Sequence, residues 1–358
     1  MDAGEGKRRL ENSKRAAAVN LPQRTNSGAA STWLVSPWFD LLFFANLTWL
    51  LALVPGYVSS TGQTHLEFWQ IYFLTTPHRW IPLVLVASDP DRRAGRNGLF
   101  AGIAVLAAIL VVGIKLGTGA FWCLLVVDYL WNSWHFGAQH GGILRMYARR
   151  AGGGHPFWET WSLRLLVCYT SIRLAGWSTG WVERDDLAYA ALPFVDYAFM
   201  LPACALFCWE AYRFQAARLG KLTYLTSVTS LYVILLFAIQ RTNGMLIAGL
   251  TVASAAFHAI EYLAIVSYYA RRRQEVGSKS VFQQMARRWL QTLGIYILAL
   301  GIIAVTATKN FVHLWMGLNL WAAFLHYAYD GLIWKLRQSA TARSLAVEVN
   351  TGQKEYGG

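Results

Sequence analysis

The sequence predicts an all-α, polytopic transmembrane helix bundle of about ten helices, and three observations support this prediction. Hydrophobic residues make up 55% of the 358-residue chain and charged residues only 14%, against about 25% charged in soluble domains. Seventeen Trp and seventeen Tyr are present, as expected of aromatic belts at two lipid interfaces. The basic residues lie in short clusters between apolar segments, which is typical of membrane topology signals and not of nucleic-acid binding. We therefore expect no nucleic-acid partner.

Ten apolar segments approach the roughly 20 residues needed to cross a bilayer. The second is interrupted by Pro77, His78 and Arg79, and the fifth contains Arg164 and Arg173. In chain order the segments are 33–55, 66–88, 99–116, 119–147, 161–180, 188–212, 222–240, 243–270, 287–307 and 311–335.

The loops between these segments alternate in basic charge. The amino-terminal tail and every second connection after it carry three or more Lys or Arg, whereas the other connections carry one or none. Cytoplasmic loops are the basic ones, so ten spans with both termini in the cytoplasm are predicted. Removing the fifth segment would invert every later helix and destroy the alternation, so we keep it despite its arginines.

Polar segments flank the apolar part of the chain. Residues 1–32 are basic and lack the apolar region of a signal peptide, which predicts a disordered cytoplasmic tail. Residues 33–338 are predicted to form one transmembrane domain, and residues 339–358 a disordered carboxyl-terminal tail. We expect an integral protein of a bacterial inner (cytoplasmic) membrane, with the lipid bilayer as its partner and the oligomeric state left open.

Four histidines fall at one depth of the predicted membrane. Counted from the starts of the even-numbered segments, His78 lies 12 residues in, His135 lies 16, and His258 and His326 lie 15 each. At 1.5 Å of rise per residue they occupy a layer about 5 Å thick. Four different helices therefore present an imidazole ring at one level.

The stretch WNSWHFGAQH (131–140) is unusually polar for a hydrocarbon environment. Asp128, Asn132, His135 and Gln139 are spaced by four, three and four residues. This spacing places them on one face of a helix. A polar stripe on an otherwise apolar helix is expected to face the interior of the bundle.

The other histidines are less well placed. His140 points about 140° away from His135 around an ideal helix, yet we retain it as a candidate ligand because the two glycines that follow it could relax that geometry. His65 and His155 lie in predicted loops, and His313 lies near a helix end, so none of these three is expected to bind metal.

Carboxylates accompany two of the histidines at helical spacing. Glu261 follows His258 by three residues, and Asp330 follows His326 by four, so each pair shares a helix face. Such pairs present metal ligands in helical bundles, and ionisable residues inside a membrane are candidates for function. The candidate metal ligands are His78, His135, His140, His258 and His326, the candidate catalytic residues are Glu261 and Asp330, and the supporting candidates are Asp128, Asn132 and Gln139.

Imidazoles and carboxylates suit iron, zinc or copper. A His-rich site with open positions is typical of dioxygen activation at non-haem iron, so Fe(II) is the expected metal and a lipophilic small molecule the expected substrate. Zinc hydrolysis with Glu261 as general base stays open. Two other classes also stay open: a proton-coupled transporter that uses these residues as a relay, and a b-type haem protein.

Three short motifs are similar to the ordered histidine motifs of the membrane-integral Brp/Blh-type carotenoid oxygenases. They are TPHRWIPLVLVASD (76–89), WHFGAQH (134–140) and AFHAIEYL (256–263). The resemblance covers about a third of the chain, and it implies iron ligation by His78, His135 and His258 and oxidative cleavage of a polyene. The chain departs from the family pattern in three ways: Arg79 stands where the family has Gly, the spacing from Pro-His to the acidic residue is longer, and HYAYDGLIWK has no counterpart.

Overall fold

The computed structural model describes residues 32–53, 68–93, 95–180, 187–274, 280–334 and 345. Within these residues the chain is helical and forms no strand. Five of the described helices are long and apolar enough to cross a membrane. The described part of the protein is therefore all-helical, and its long apolar helices make the protein membrane-embedded, while the count of ten spans and the cytoplasmic termini stay predictions. Apart from Thr32 and Leu345, the two predicted tails lie outside the described residues.

Nine long helices follow one another in the described part of the chain. Each coincides within a few residues with one of the predicted apolar segments from the second to the tenth. The helices are α1 (Phe68–Ser88), α2 (Asn97–Thr118), α3 (Trp122–Arg150), α4 (Pro156–Thr179), α5 (Leu187–Tyr212), α6 (Leu219–Gln240), α7 (Gly244–Gln274), α8 (Trp289–Asn310) and α9 (Val312–Ile333). The five with the length and composition of a membrane span are α2, α5, α6, α7 and α8.

The first apolar segment, 33–55, is not one regular helix where it is described. It consists of an α-helical turn (Pro37–Phe39), a π-helical turn (Asp40–Phe44) and a 3₁₀ helix (Leu47–Leu53). The buried Asp40 carboxylate accepts hydrogen bonds from the backbone N–H of Leu34 at 2.6 Å and of Val35 at 3.0 Å. Tyr147 of α3 donates to it at 2.7 Å. These bonds hold the chain in a non-helical approach to Asp40, so an apolar composition alone does not make this segment one helix.

Helices α3 and α4 approach closely through two glycines. A Cβ added at Gly137 would lie 3.0 Å from the Cα of Arg164, and one at Gly141 would lie 3.3 Å from the Cα of Thr160. This is the small-xxx-small spacing that lets membrane helices pack backbone against backbone. Because the glycines lie on the turns that follow His135, the packing fixes the direction in which the polar stripe of α3 points.

A buried ion network, which we call the Lys221 network, joins α3, α4, α5 and α6. Lys221 is 1% exposed, and its Nζ donates to Glu159 Oε1 at 2.6 Å and to Glu210 Oε1 at 2.7 Å. Arg145 donates to Glu159 Oε2, and Arg218 donates to Glu210 Oε2 at 3.0 Å. Every carboxylate oxygen in the network therefore has a cationic partner.

Candidate metal centre

Helices α1, α3, α7 and α9 bring His78, His135, His258 and His326 together in the interior. All four side chains are buried. The ring centroid of His135 lies 4.5 Å from that of His326 and 5.0 Å from that of His258. The ring of His78 lies 5.1 Å from His258 and 5.4 Å from His326. We call these four residues the histidine layer.

Ligating atoms in the histidine layer form two overlapping groups. One consists of His78, His258 and His326, and the other of His135, His326 and Asp330; within each group the atoms lie within 4.8 Å of one another. Two ligands on opposite sides of a single ion lie about 4.2 Å apart. Small side-chain movements therefore bring either group into bonding range, and the shared His326 allows one ion or an adjacent pair.

The ring nitrogens of the histidine layer are largely without partners. Six of them are buried and form no hydrogen bond with the described residues: His78 Nδ1, His135 Nε2, and both nitrogens of His258 and of His326. A buried polar atom left unpaired costs about 1–3 kcal/mol, so such atoms rarely persist in proteins without a ligand or an ordered water. Unpaired imidazole nitrogens that converge fit a bound transition-metal ion.

Asp330 is oriented toward two of these rings. Tyr262 donates to Asp330 Oδ1 at 2.6 Å, and Trp334 Nε1 donates to the Tyr262 hydroxyl at 3.2 Å. The other oxygen, Oδ2, lies 3.7 Å from His135 Nε2 and 3.6 Å from His326 Nδ1. Tyr262 thus fixes one carboxylate oxygen and leaves the other facing the candidate ligands.

The backbone of α1 at His78 is weakened by two prolines. Pro77 and Pro82 lack the N–H that would bond to the carbonyls of Phe73 and His78 in a regular helix. Tyr296 of α8 donates to the carbonyl of Pro77 at 2.6 Å. Because this bond ties α8 to the helical turn that carries His78, it contributes to the position of that ring.

Asp128 and Asn132 of the α3 stripe contact Tyr327, which is not among the residues predicted from the sequence. The Tyr327 hydroxyl lies 2.8 Å from Asp128 Oδ1 and 3.1 Å from Asn132 Oδ1. Its ring centroid lies 5.2 Å from that of His135. Asp128 and Asn132 therefore support the histidine layer through Tyr327.

His140 and Glu261 lie in a separate group that also includes Tyr224 and Gln139, which we call the His140 cluster. Glu261 Oε2 lies 3.2 Å from His140 Nδ1. Tyr224 donates to Glu261 Oε1 at 2.6 Å, and Gln139 donates to Glu261 Oε2 at 2.7 Å. Gln139 is also 3.1 Å from the carbonyl oxygen of His258. The cluster thus touches the histidine layer through the backbone, and neither His140 nor Glu261 belongs to a ligand group.

Tyr224 and Tyr262 were also missed in the sequence. Tyr262 stands next to Glu261, as Tyr327 stands next to His326, so adjacency to a candidate residue could have suggested both. Tyr224 has no such neighbour, and only the packing of α6 against α7 identifies it. His155 and His313 are exposed and lie outside both ligand groups. His65 lies outside the described residues.

Comparisons with known proteins find no matching family model, and no curated protein and no solved structure matches the chain significantly. The features that bear on function are therefore the geometry of the histidine layer and the short histidine motifs.

Proposed function

We propose that the chain is a metal-dependent membrane oxygenase that acts on a lipophilic substrate, namely a lipid, an isoprenoid or a carotenoid. The observation that carries this proposal is the convergence, on four helices, of six buried ring nitrogens that form no hydrogen bond with the described residues. The short motifs similar to Brp/Blh-type carotenoid oxygenases support the same class. Fe(II) suits a ligand set of imidazoles with a carboxylate, and zinc and copper are the alternatives.

In this proposal His78, His258 and His326 hold the ion, and His135 and Asp330 complete the site. A bound Fe(II) supplies the ability to activate dioxygen. Burial of the rings in the bundle keeps bulk water away. The substrate reaches such a site from the lipid phase.

The surrounding residues orient these ligands. Phe136 stacks on the ring of His258, with centroids 3.9 Å apart and planes 18° apart. Tyr262 holds Asp330 so that Oδ2 faces the rings. Supporting contacts of this kind fix the direction of metal ligands. Glu261 acts in this account by holding Gln139 against the backbone of His258.

Proton-coupled transport is the second candidate function, and one observation favours it. Beyond Glu261 and Tyr224, the ring of Tyr147 stacks on that of Tyr224 at 5.4 Å, and Tyr147 donates to Asp40 at 2.7 Å. Buried titratable groups therefore continue from the His140 cluster to the turns before α1. Chains of such groups are the proton relays of membrane transporters.

A b-type haem is less well supported by the geometry. Its macrocycle would have to fit between two axial histidine rings. The ring centroids of His258 and His326 lie 6.3 Å apart, but the rings of His78 and His135 lie 4.5–5.4 Å from both of them and crowd the space in which a macrocycle would extend. This spacing suits a bare ion.

Metal content and an optical spectrum test the proposal. Detergent-purified protein is expected to contain stoichiometric iron without a Soret band. The double variant His135→Ala, His258→Ala is expected to lose the iron, and the control His313→Ala to keep it. A folded, metal-free wild type from iron-supplemented cells would contradict the proposal and favour transport.

A further inference from the structure

Arg79 is a cation beside the histidine layer that the proposed function does not yet use. One of its terminal nitrogens lies 3.6 Å from Asp128 Oδ2, close enough for an ion pair but too far for a hydrogen bond. Its Nε is buried without a hydrogen-bond partner among the described residues. A guanidinium carries five N–H donors, so this side chain has donors left for a ligand.

The position of Arg79 places those donors near one edge of the histidine layer. Arg79 follows His78 directly in α1. Its partner Asp128 lies seven residues before His135 in α3, about 10 Å along the helix axis. Tyr327 bridges that interval, since its hydroxyl contacts Asp128 and its ring packs near His135. Arg79 and Asp128 therefore form a rim at one edge of the histidine layer.

The side chains of the rim are partly exposed. The Arg79 side chain is 16% exposed and that of Asp128 is 12% exposed, whereas His258 and His326 are fully buried. The rim is therefore more accessible than the rings of His258 and His326.

We propose that Arg79 binds the carboxylate of a lipophilic monocarboxylic acid and holds the rest of that substrate over the histidine layer. A guanidinium matches a carboxylate with two parallel hydrogen bonds. This inference rests on the proposed function, because it counts the bound ion. Within the histidine layer and the rim, a divalent ion and Arg79 would bring three positive formal charges, and Asp128 and Asp330 two negative ones, so one positive charge would remain there.

That remaining charge selects the anion. One carboxylate neutralises it, whereas a phosphate dianion would leave excess negative charge beside Asp128. A pure hydrocarbon would leave the donors of Arg79 desolvated and unpaired, which costs free energy.

Equilibrium dialysis of radiolabelled octanoate tests the inference, with detergent-purified and zinc-loaded protein. Wild type is expected to bind octanoate, and Arg79→Gln to bind it about tenfold more weakly or worse, since a hydrogen bond to a charged group is lost. The matched control Arg241→Gln removes an exposed arginine and is expected to bind as wild type does. Octan-2-one and octyl phosphate are expected to compete poorly.

Equal octanoate binding by wild type and Arg79→Gln would overturn the inference, as would octan-2-one or octyl phosphate competing as well as octanoate. If Arg79→Gln does not fold, Arg79→Lys replaces it. Lysine keeps the charge but cannot form the two parallel hydrogen bonds of a guanidinium, so we expect several-fold weaker octanoate binding. Unchanged binding would overturn the proposed two-hydrogen-bond contact between Arg79 and the carboxylate.

Zinc stoichiometry in the same samples separates this inference from the proposed function. Zinc-loaded wild type that shows no Arg79-dependent octanoate binding would overturn only the carboxylate site. Arg79-dependent octanoate binding by a wild type that takes up no zinc would overturn the inference as stated, because its charge count includes the bound ion, and the iron content of the wild type would then decide the proposed function separately.

Discussion

The Lys221 network and the histidine layer are both polar groups buried in the same bundle, but they differ in how their polar atoms are paired. In the Lys221 network each carboxylate oxygen of Glu159 and Glu210 has a cationic donor. In the histidine layer six ring nitrogens have no hydrogen-bond partner in the described residues. The first group is complete as it stands, whereas the second becomes complete only when something binds.

The difference shows which kind of buried polarity points to function. Burial alone does not distinguish the two groups, because Lys221 is 1% exposed and the four histidines are 0–8% exposed. In a paired ion network, the mutual attraction and hydrogen bonds of the charges offset the free-energy cost of their burial. Buried donors and acceptors that converge without forming hydrogen bonds need a bound ligand to offset that cost.

The largest expected effect is on metal binding by the histidine layer. Replacing His258 by Leu removes two unpaired nitrogens and is expected to weaken iron or zinc affinity by more than about 100-fold, beyond the effect of losing a supporting residue. The metal-free variant is expected to be as stable as metal-free wild type within about 1 kcal/mol, since an apolar side chain replaces an unsatisfied one. Metal titration checks the loss of affinity, and detergent unfolding checks the stability of the metal-free variant. A variant that keeps full affinity would place the metal elsewhere.

The opposite pattern is expected for Lys221→Met. Removing the shared cation leaves two buried carboxylates short of a partner, which costs about 3–5 kcal/mol of unfolding free energy. The folded fraction should still bind metal with wild-type stoichiometry. The exposed Lys309 offers the control Lys309→Met, expected to change stability by less than about 0.5 kcal/mol. A metal defect in Lys221→Met that exceeds its folding defect would refute the separation of the two groups.

A smaller effect is expected at Tyr262. Changing it to Phe removes the hydrogen bond that orients Asp330, and such supporting contacts are worth about 10–100-fold in metal affinity. Tyr329→Phe is the matched control, because that hydroxyl bonds to the carbonyl of Phe100 away from the rings. Equal metal affinities of the two variants would mean that the hydrogen bond from Tyr262 does not orient a metal ligand.

The smallest effect is expected in the His140 cluster. Tyr224→Phe removes one donor to Glu261, which should lower the unfolding free energy by about 1 kcal/mol. Metal affinity should stay near the wild-type value, because Tyr224 donates to Glu261 Oε1, whereas Gln139, which contacts the backbone of His258, donates to Oε2. A large loss of metal affinity would instead make His140 and Glu261 part of the site.

Much of the fold could be predicted because it depends on hydropathy along one chain. Nine apolar segments correspond to α1 to α9, since each helix satisfies its own backbone hydrogen bonds. The segment 33–55 is equally apolar, but it is broken into turns where it is described. Its backbone is captured by Asp40, whose carboxylate binds the N–H groups of Leu34 and Val35, and this competition is not visible in hydropathy.

The site could be predicted only as far as periodicity reaches. Depth counting placed the four histidines at one level because the helices cross the bundle in a regular way. The angle between His135 and His140 also indicated opposite directions, and His140 does lie with Tyr224. The spacing of His258 and Glu261 predicts that they share a helix face, but this did not place Glu261 beside the candidate ligands, since its carboxylate binds Tyr224 of α6. Which tyrosine meets which carboxylate depends on packing between helices, and one sequence does not show it.

X-ray absorption at the iron edge tests the central claim most directly. If the histidine layer is a metal centre, iron-loaded wild type will show nitrogen and oxygen neighbours at about 2.0–2.2 Å with the outer-shell scattering of several imidazole rings, and the double variant His135→Ala, His258→Ala will lose that signal. Iron bound through sulfur, or an imidazole signal that survives in the double variant, would contradict it.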